Sequence, residues 1–314
     1  MKFKASAIAL AVAGTVAAPM AVQAEGSVYA SARVGIHSID STGAGGVSSE
    51  DNISISSYSS RFGMKGETDL GNGMTGFGKY EFSVGDGAKL GGGRHHIVGV
   101  KGDFGKVTLG KTYHPFYNHV VGPLDIPWAG SGYAMIGYTG RTTNTIAYDG
   151  GGGAVSYGIG VQMGALANNE DVDAVEFGLT FGIGDTNLGL GYRDVAEATM
   201  GANDPDAIIA VAWSGIALGD TSWGVSFQTQ DKDISFVVDG TMGGFYLHFE
   251  AADFDNASVN NPAGLSPSSI TLGYTQSIGR NTSAWYEIME LDSDTADGDG
   301  DTTNVRAVLK YDIL

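Results

Sequence analysis

Five aspartates lie within the ten residues from Asp292 to Asp301, and they are candidate ligands for a metal ion. Closely spaced carboxylates suit a hard cation such as Ca²⁺. The spacing is not that of an EF-hand, because Thr303 and Val308 occupy the twelfth positions counted from Asp292 and Asp297, where a glutamate would complete the ligand set. We therefore interpret the run as a solvated loop.

Four histidines could supply transition-metal ligands, namely His95, His96, His114 and His119. His95 and His96 cannot share one ion without a bulge, because adjacent side chains on a strand point to opposite faces. The sequence also shows no compact set of Ser, His and Asp residues of the kind that activates a nucleophile. We expect neither a metal site nor a cofactor, and we expect that the protein is not an enzyme.

Residues 1–24 have the composition of a secretory signal peptide. Lys2 and Lys4 precede a largely apolar stretch, and Val22 and Ala24 suit cleavage after Ala24. The apolar stretch is too short to span a bilayer stably. After it, no segment approaches the roughly 18 to 20 consecutive apolar residues that a transmembrane helix needs. We therefore expect an exported mature chain over residues 25–314.

The mature chain is strongly acidic. Without Lys2 and Lys4 it has 15 basic and 35 acidic residues, a net charge of −20. This charge disfavours nucleic acid as a partner. Because the chain has no cysteine, its stability must come from its core or its hydrogen-bonded backbone rather than from disulfides.

Apolar and polar residues alternate from one end of the mature chain to the other, which is the period-two pattern of strands with two unlike faces. In the first run, Val34 and Ile36 lie on one face and Arg33 lies on the other. In a later run, Lys79 and Glu81 share the polar face. Glycine, at 50 of 314 residues, is far too frequent for a helical protein. The sequence therefore predicts an all-β fold.

About sixteen strands are predicted. They lie near 25–39, 53–67, 73–85, 93–103, 104–114, 141–149, 153–164, 172–183, 185–195, 206–214, 221–230, 232–240, 243–253, 269–278, 281–291 and 303–313. Short turns, such as 69–73 and 184–185, alternate with longer segments, such as 40–52 and 254–267. An even number of strands with this alternation is typical of a transmembrane antiparallel β-barrel. A soluble sandwich has the same strand pattern, but the mature chain is long for a single sandwich.

Two ordered hairpin motifs resemble the Gram-negative general porins. The first is SRFGMKGETDLGNGM over residues 60–74, and the second is RHHIVGVKGDFGKVTLGK over residues 94–111. A third match, RTTNTIAY over residues 141–148, resembles the strand that follows the constriction loop of that family. The specific similarity covers about residues 58–149.

The resemblance implies a sixteen-stranded outer-membrane barrel, usually trimeric, whose third extracellular loop folds inward and narrows the pore. The matching segment is 115–140, which is too long for a tight turn. Constriction loops of the family often carry several carboxylates, whereas this one carries only Asp125. The chain ends at Leu314, where general porins usually end on an aromatic residue.

By matching position, Arg61, Arg94 and Arg141 are the basic residues that face this loop from the barrel wall. Alternation independently directs Arg61 and Arg141 away from the apolar face. It groups Arg94 with the apolar Val98 and Val100, so only the resemblance places Arg94 inward.

Alternation alone adds Arg33, Lys79 and Glu81 to the candidate pore residues, and Asp125 is the carboxylate of the loop. A row of cations opposite an anionic loop orients dipolar solutes and sets ion preference. Alternation also assigns Tyr58 to the apolar, outward face, together with residues 60, 62 and 64.

Three functions fit these observations. We favour a channel for passive diffusion of small hydrophilic solutes and ions with mild selectivity. The alternatives are a substrate-selective channel on the same fold and a structural or adhesive surface barrel. The expected partners in transport are small solutes and ions. In the membrane, we expect contact with outer-membrane lipid and with the other two subunits of a homotrimer. We also expect contact with lipopolysaccharide, which divalent ions would bridge to the acidic run.

Overall fold

The computed structural model describes residues 25–43, 47–128, 132, 134–136, 140–164, 171–196, 206–255, 266–292 and 300–313. The predicted signal peptide, most of the acidic run, part of the predicted constriction loop and Leu314 lie outside these residues.

Seventeen strand segments make up most of the described chain. They are β1 (Glu25–Gly43), β2 (Val47–Ser57), β3 (Ser60–Gly71), β4 (Met74–Val84), β5 (Leu90–Gly102), β6 (Gly105–Tyr113), β7 (Arg141–Gly152), β8 (Val155–Gln162), β9 (Ala174–Ile183), β10 (Thr186–Val195), β11 (Ile208–Leu218), β12 (Thr221–Gln230), β13 (Asp233–Met242), β14 (Phe245–Asp253), β15 (Ser268–Gly279), β16 (Thr282–Asp292) and β17 (Asp301–Asp312). Short helical turns occur at Asp86–Ala88, Tyr117–Val121 and Gly122–Leu124. Within the described residues, no helix has both the length and the apolar character needed to cross a membrane.

The strands form one closed antiparallel sheet. Apart from β2 and β3, each strand pairs with the next along the chain, and β1 pairs with β17 from Ser31↔Asp312 to Ser41↔Thr302. The other edge of β1 pairs first with β3 and then with β2, so these two segments are halves of one barrel strand. The barrel therefore has sixteen strands, which confirms the predicted fold class. Closure removes the free edge strands that an open sheet would have.

The two rims of the barrel differ in their connections. One rim has seven two-residue turns, at 72–73, 103–104, 153–154, 184–185, 219–220, 243–244 and 280–281. The other rim carries the long connections and also a two-residue turn at 231–232. The prediction of a long loop over 40–52 is wrong, because β1 and β2 stay paired as far as Gly43↔Val47. Its polar, Gly-rich composition resembles a loop, but a strand of 19 residues exceeds the 9–11 needed to cross the membrane.

The apolar side chains of the barrel point outward. Val34, Val98 and Trp213 are 49%, 61% and 45% exposed, whereas the polar-face residues Arg33 and Glu81 are only 5% and 3% exposed. This arrangement is the reverse of a soluble protein, in which the apolar face is buried. It suits a surrounding lipid phase and a polar interior.

A β-bulge at the junction of β2 and β3 reverses the alternation locally. Ser59 has a φ of 56°, and the pairing with β1 gains one residue between Ser57 and Arg61. The hydroxyl of Tyr58 hydrogen-bonds to Nδ1 of His37 on the inward face at 2.6 Å. The prediction that Tyr58 faces outward is therefore wrong.

The candidate constriction site

The segment that follows β6 lies inside the barrel. Phe116, Val120 and Leu124 are buried and form an apolar cluster with inward-facing residues of the wall. The wall residues of this cluster are Ile208, Ala210, Ala212 and Val237. The turn at Tyr117–Val121 packs on β9, β10 and β11, and the turn at Gly122–Leu124 packs on β12 and β13. Burial of this apolar surface holds the loop against one side of the lumen.

The wall beneath the loop is lined with glycines. A Cβ atom on Gly189 would lie 2.1 Å from the carbonyl oxygen of His119, and one on Gly178 would lie 2.5 Å from that of Pro115. Similar close approaches to the loop occur at Gly158, Gly160, Gly191 and Gly224. At these positions the loop lies so close to the strands that a side chain would not fit.

His119 fixes the loop to the same wall. Its Nδ1 lies 2.7 Å from Oγ1 of Thr180 on β9. Burial lowers the pKa of His119 below its usual value, so the neutral ring is favoured in this position.

Carboxylates of the wall hold the far part of the loop. Glu287 accepts hydrogen bonds from the backbone N–H of Trp128 at 2.6 Å and from the hydroxyl of Tyr246 at 2.5 Å. Glu250 accepts a hydrogen bond from the N–H of Gly132 at 3.1 Å. The sequence interpretation missed both glutamates, although each lies on the polar face of its strand.

A third wall carboxylate lies where the loop begins. Glu176 on β9 contacts Nδ1 of His114 and lies 3.1 Å from Nε of Arg193. All three groups are buried. Glu287, Glu250 and Glu176 are therefore engaged by the loop or by neighbouring cations.

On the opposite wall, three basic side chains surround Glu81. Its carboxylate lies 2.8 Å from Nε of Arg94, 3.2 Å from Nζ of Lys79 and 4.0 Å from Nη1 of Arg61. It also accepts a hydrogen bond from the hydroxyl of Tyr29 at 2.7 Å. The structure thus brings three sequence-predicted cations together around the single negative charge of Glu81, which was also predicted.

Arg94 reaches this cluster because of a bulge in β5. The register between β4 and β5 shifts from Glu81↔His95 to Phe82↔Gly93, which leaves Arg94 as an extra residue. Regular alternation would turn Arg94 outward with Val98, and the bulge turns it into the lumen.

Arg33 stacks on an aromatic pair that joins the loop to the wall. Its guanidinium carbon lies 4.3 Å from the ring centroid of Trp128. The other partner of Trp128 is Trp285 on β16, with ring centroids 4.1 Å apart. Such cation–π contacts stabilise a guanidinium without neutralising its charge.

Arg141 makes an equivalent stack. Its guanidinium carbon lies 4.1 Å from the ring centroid of Tyr113, which stacks on Tyr117 at 4.5 Å. The same guanidinium donates to the Tyr113 hydroxyl and to Nε2 of His95. The Tyr117 hydroxyl donates to Asp125 at 2.6 Å.

These groups line one cavity of about 790 Å³ between the loop and the basic wall. Its basic lining residues are Arg33, Arg61, Arg94, Lys111 and Arg141. Among the described residues, Asp125 is the only carboxylate that lines it. Sequence reasoning missed Lys111, Tyr113 and Trp128, although Lys111 ends the second family motif.

Among the described residues, no three or more His, Asp or Glu side chains are grouped so that they could hold a metal ion. His37 lies between Ser54 at 2.8 Å and Tyr58 at 2.6 Å. Within the described hydrogen bonds no carboxylate orients that histidine, as a catalytic triad requires.

Together, the fold and the site define a membrane β-barrel whose lumen is narrowed by an inward-folded loop facing a basic wall. The family model of Gram-negative porins matches residues 5–313. The chain therefore belongs to the Gram-negative porin family, and the protein is localised in the outer membrane.

Individual relatives match the chain over a shorter stretch than the family model does. The major outer membrane protein P.IB of Neisseria meningitidis serogroup B is 34% identical over 113 residues, which cover 34% of this chain and 33% of that protein. The matched stretch thus spans about a third of the relative's length.

Solved structures share the fold at low identity. An anion-selective porin from Comamonas acidovorans is 18% identical, with a TM-score of 0.73 over 93% of this chain and 100% of that one. Salmonella typhi OmpF in complex with daunomycin is 15% identical, with a TM-score of 0.70 over 91% of this chain and 97% of that one. At these identities the likeness shows the fold alone.

Proposed function

We propose that this protein is a passive diffusion channel for small hydrophilic solutes and ions. The observation that carries the proposal is the cavity of about 790 Å³ inside a closed barrel, bounded by the inward loop and by charged side chains. A polar passage of limited width admits small solutes and excludes large ones.

The charges at this constriction favour a mild preference for anions. Five basic side chains line the cavity against Asp125. The buried Glu81 offsets part of the charge of Arg61, Arg94 and Lys79. The local field is thus positive although the whole chain is acidic, and a narrow passage responds mainly to nearby charges. The neighbour from Comamonas acidovorans is described as anion-selective.

Recordings from single channels in planar bilayers test this function. We expect large ohmic current steps and, in a salt gradient, a reversal potential that indicates anion preference. Smaller steps that one solute class blocks would favour the substrate-selective channel. Almost no current would favour a structural or adhesive surface barrel and would refute the proposal.

A double variant, Arg61→Ala with Arg141→Ala, assigns the selectivity to the constriction. We expect its reversal potential to move toward cation preference. Lys232→Ala is the matched control, because that side chain is 70% exposed on the rim and pairs with Asp255. An unmoved potential in the double variant would remove both arginines from the selectivity site.

The proposal extends to maturation and partners. We propose cleavage after Ala24, contact of the outward apolar surface with outer-membrane lipid and lipopolysaccharide, and assembly as a homotrimer. The exposed apolar residues of the barrel support the contact with lipid, the composition of residues 1–24 supports the cleavage, and the resemblance to the general porins supports the trimer. N-terminal sequencing of the mature protein and light scattering of the detergent complex test them, and a mature chain starting elsewhere or a monomeric mass would contradict them.

A further inference from the structure

Arg33 is buried at the cavity with part of its hydrogen-bonding capacity unused. The side chain lines the cavity and is only 5% exposed. Its Nε donates to Oγ of Ser31 at 3.2 Å, but its buried Nη1 has no hydrogen-bond partner within the described structure. A buried charged donor without an acceptor is costly, so this atom indicates a place for an acceptor from outside the chain.

The neighbouring basic side chains also have few carboxylate partners. Among the described residues, no carboxylate lies within 4.0 Å of Arg33, Lys111 or Arg141. Among the carboxylates of the described residues, Arg61 contacts only Glu81, at 4.0 Å, and Arg94 and Lys79 share that carboxylate. The cluster thus contains six basic groups, and Glu81 and Asp125 are its acidic ones. The basic groups are Arg33, Arg61, Lys79, Arg94, Lys111 and Arg141.

Two of these arginines are held by ring faces. Trp128 supports Arg33, and Tyr113 supports Arg141. Stacking occupies the flat face of a guanidinium and leaves N–H donors at its edge. Those donors match the paired oxygens of a carboxylate or phosphate.

We propose that this cluster is a saturable binding site for a small oxyanion with two negative charges, either inorganic phosphate or a short dicarboxylate. The inference rests on the proposed diffusion function and deepens it, because a simple passage would show no saturation. We expect the current steps in KCl alone to stay large and only added dianion to reduce them, whereas small steps in KCl alone would favour the substrate-selective channel. Two charges are favoured because the excess of cations is larger than one anion charge can offset. The acceptor oxygens would also satisfy Nη1 of Arg33.

Block of chloride current tests the site. In planar bilayers at constant KCl and a pH near 7.5, we expect inorganic phosphate or succinate to reduce single-channel chloride current along a saturating curve. Acetate, which has one charge, should act only at much higher concentration. Block by phosphate alone would assign the site to inorganic anions, and block by succinate alone would assign it to dicarboxylates. A current that responds to neither dianion overturns the site and leaves the channel function intact, whereas no chloride current at all refutes the channel function.

Variants locate the block. Arg33→Gln should raise the half-blocking concentration of the dianion about tenfold, as expected for the loss of one charged hydrogen-bond partner. Because Arg33 is buried and its variant can misfold, Lys111→Gln provides a second variant, and we expect a smaller increase in the same direction. Lys232→Gln on the rim is the charge-matched control and should leave the block unchanged. Equal block in wild type, Arg33→Gln and Lys111→Gln would contradict the assignment.

Discussion

Gly189 on β10 provides a direct test of how the loop is seated. In Gly189→Ala the new Cβ would lie 2.1 Å from the carbonyl oxygen of His119, whereas ordinary contact begins at 3.4 Å. The obstructing atom belongs to the backbone, so no rotamer change relieves the overlap. The loop must therefore retreat by about 1.3 Å, and overpacking of this kind costs about 1–3 kcal/mol.

The retreat narrows the passage, because the loop moves away from its wall and toward the basic wall. A sphere with the cavity's volume has a diameter of about 11 Å, so a shift of about 1.3 Å from one side shortens one dimension of its cross-section and removes about a tenth of the area. We expect single-channel conductance in KCl to fall by a similar fraction.

Gly182→Ala on the neighbouring β9 is the matched control, because its new Cβ would lie 3.6 Å from the nearest atom. We expect this variant to conduct as the wild type does. If Gly189→Ala kept the wild-type conductance while folding normally, the loop would not lie on the glycine wall in the membrane, and the account of the constriction would be wrong.

Three further predictions concern the constriction and its supports. Arg141→Ala should lower the ratio of anion to cation permeability by up to about fivefold, since one charge about 4 Å away contributes about 1 kcal/mol in water. Arg141→Lys keeps the charge and should keep most of the anion preference. Reversal potentials in a salt gradient measure the ratio for both variants. Glu287→Gln weakens the acceptor for Trp128 N–H and the Tyr246 hydroxyl, so we expect more open-channel current noise, and unchanged noise would count against this anchor. Burial lowers the pKa of His119, so the contribution of this residue to loop stability is present above its ordinary pKa of about 6.5 and is lost as the pH falls below that value. We therefore expect conductance to become less steady on acidification. In His119→Gln, which does not titrate, this effect of acidification should be smaller.

Much of the fold could be predicted from local pattern. The period of two located the strands because each residue's face depends only on its neighbours in an extended chain. It placed Arg33, Arg61, Lys79 and Glu81 on the inward side, and the family motifs drew attention to 115–140 as the loop. The two-residue turns also follow from local glycine and asparagine, as at Asn72, which has a φ of 53°.

Only the closed barrel decided which of these residues meet. Bulges at Ser59 and Arg94 reverse the alternation, and a bulge depends on the register with the partner strand rather than on local sequence. The glycine wall and the anchoring glutamates acquire their roles because closure brings β9 to β16 against a loop from a distant part of the chain. The sequence by itself determined the strands and their two faces, since those depend on short-range geometry. The tertiary structure determined the constriction, since its contacts join segments far apart along the chain.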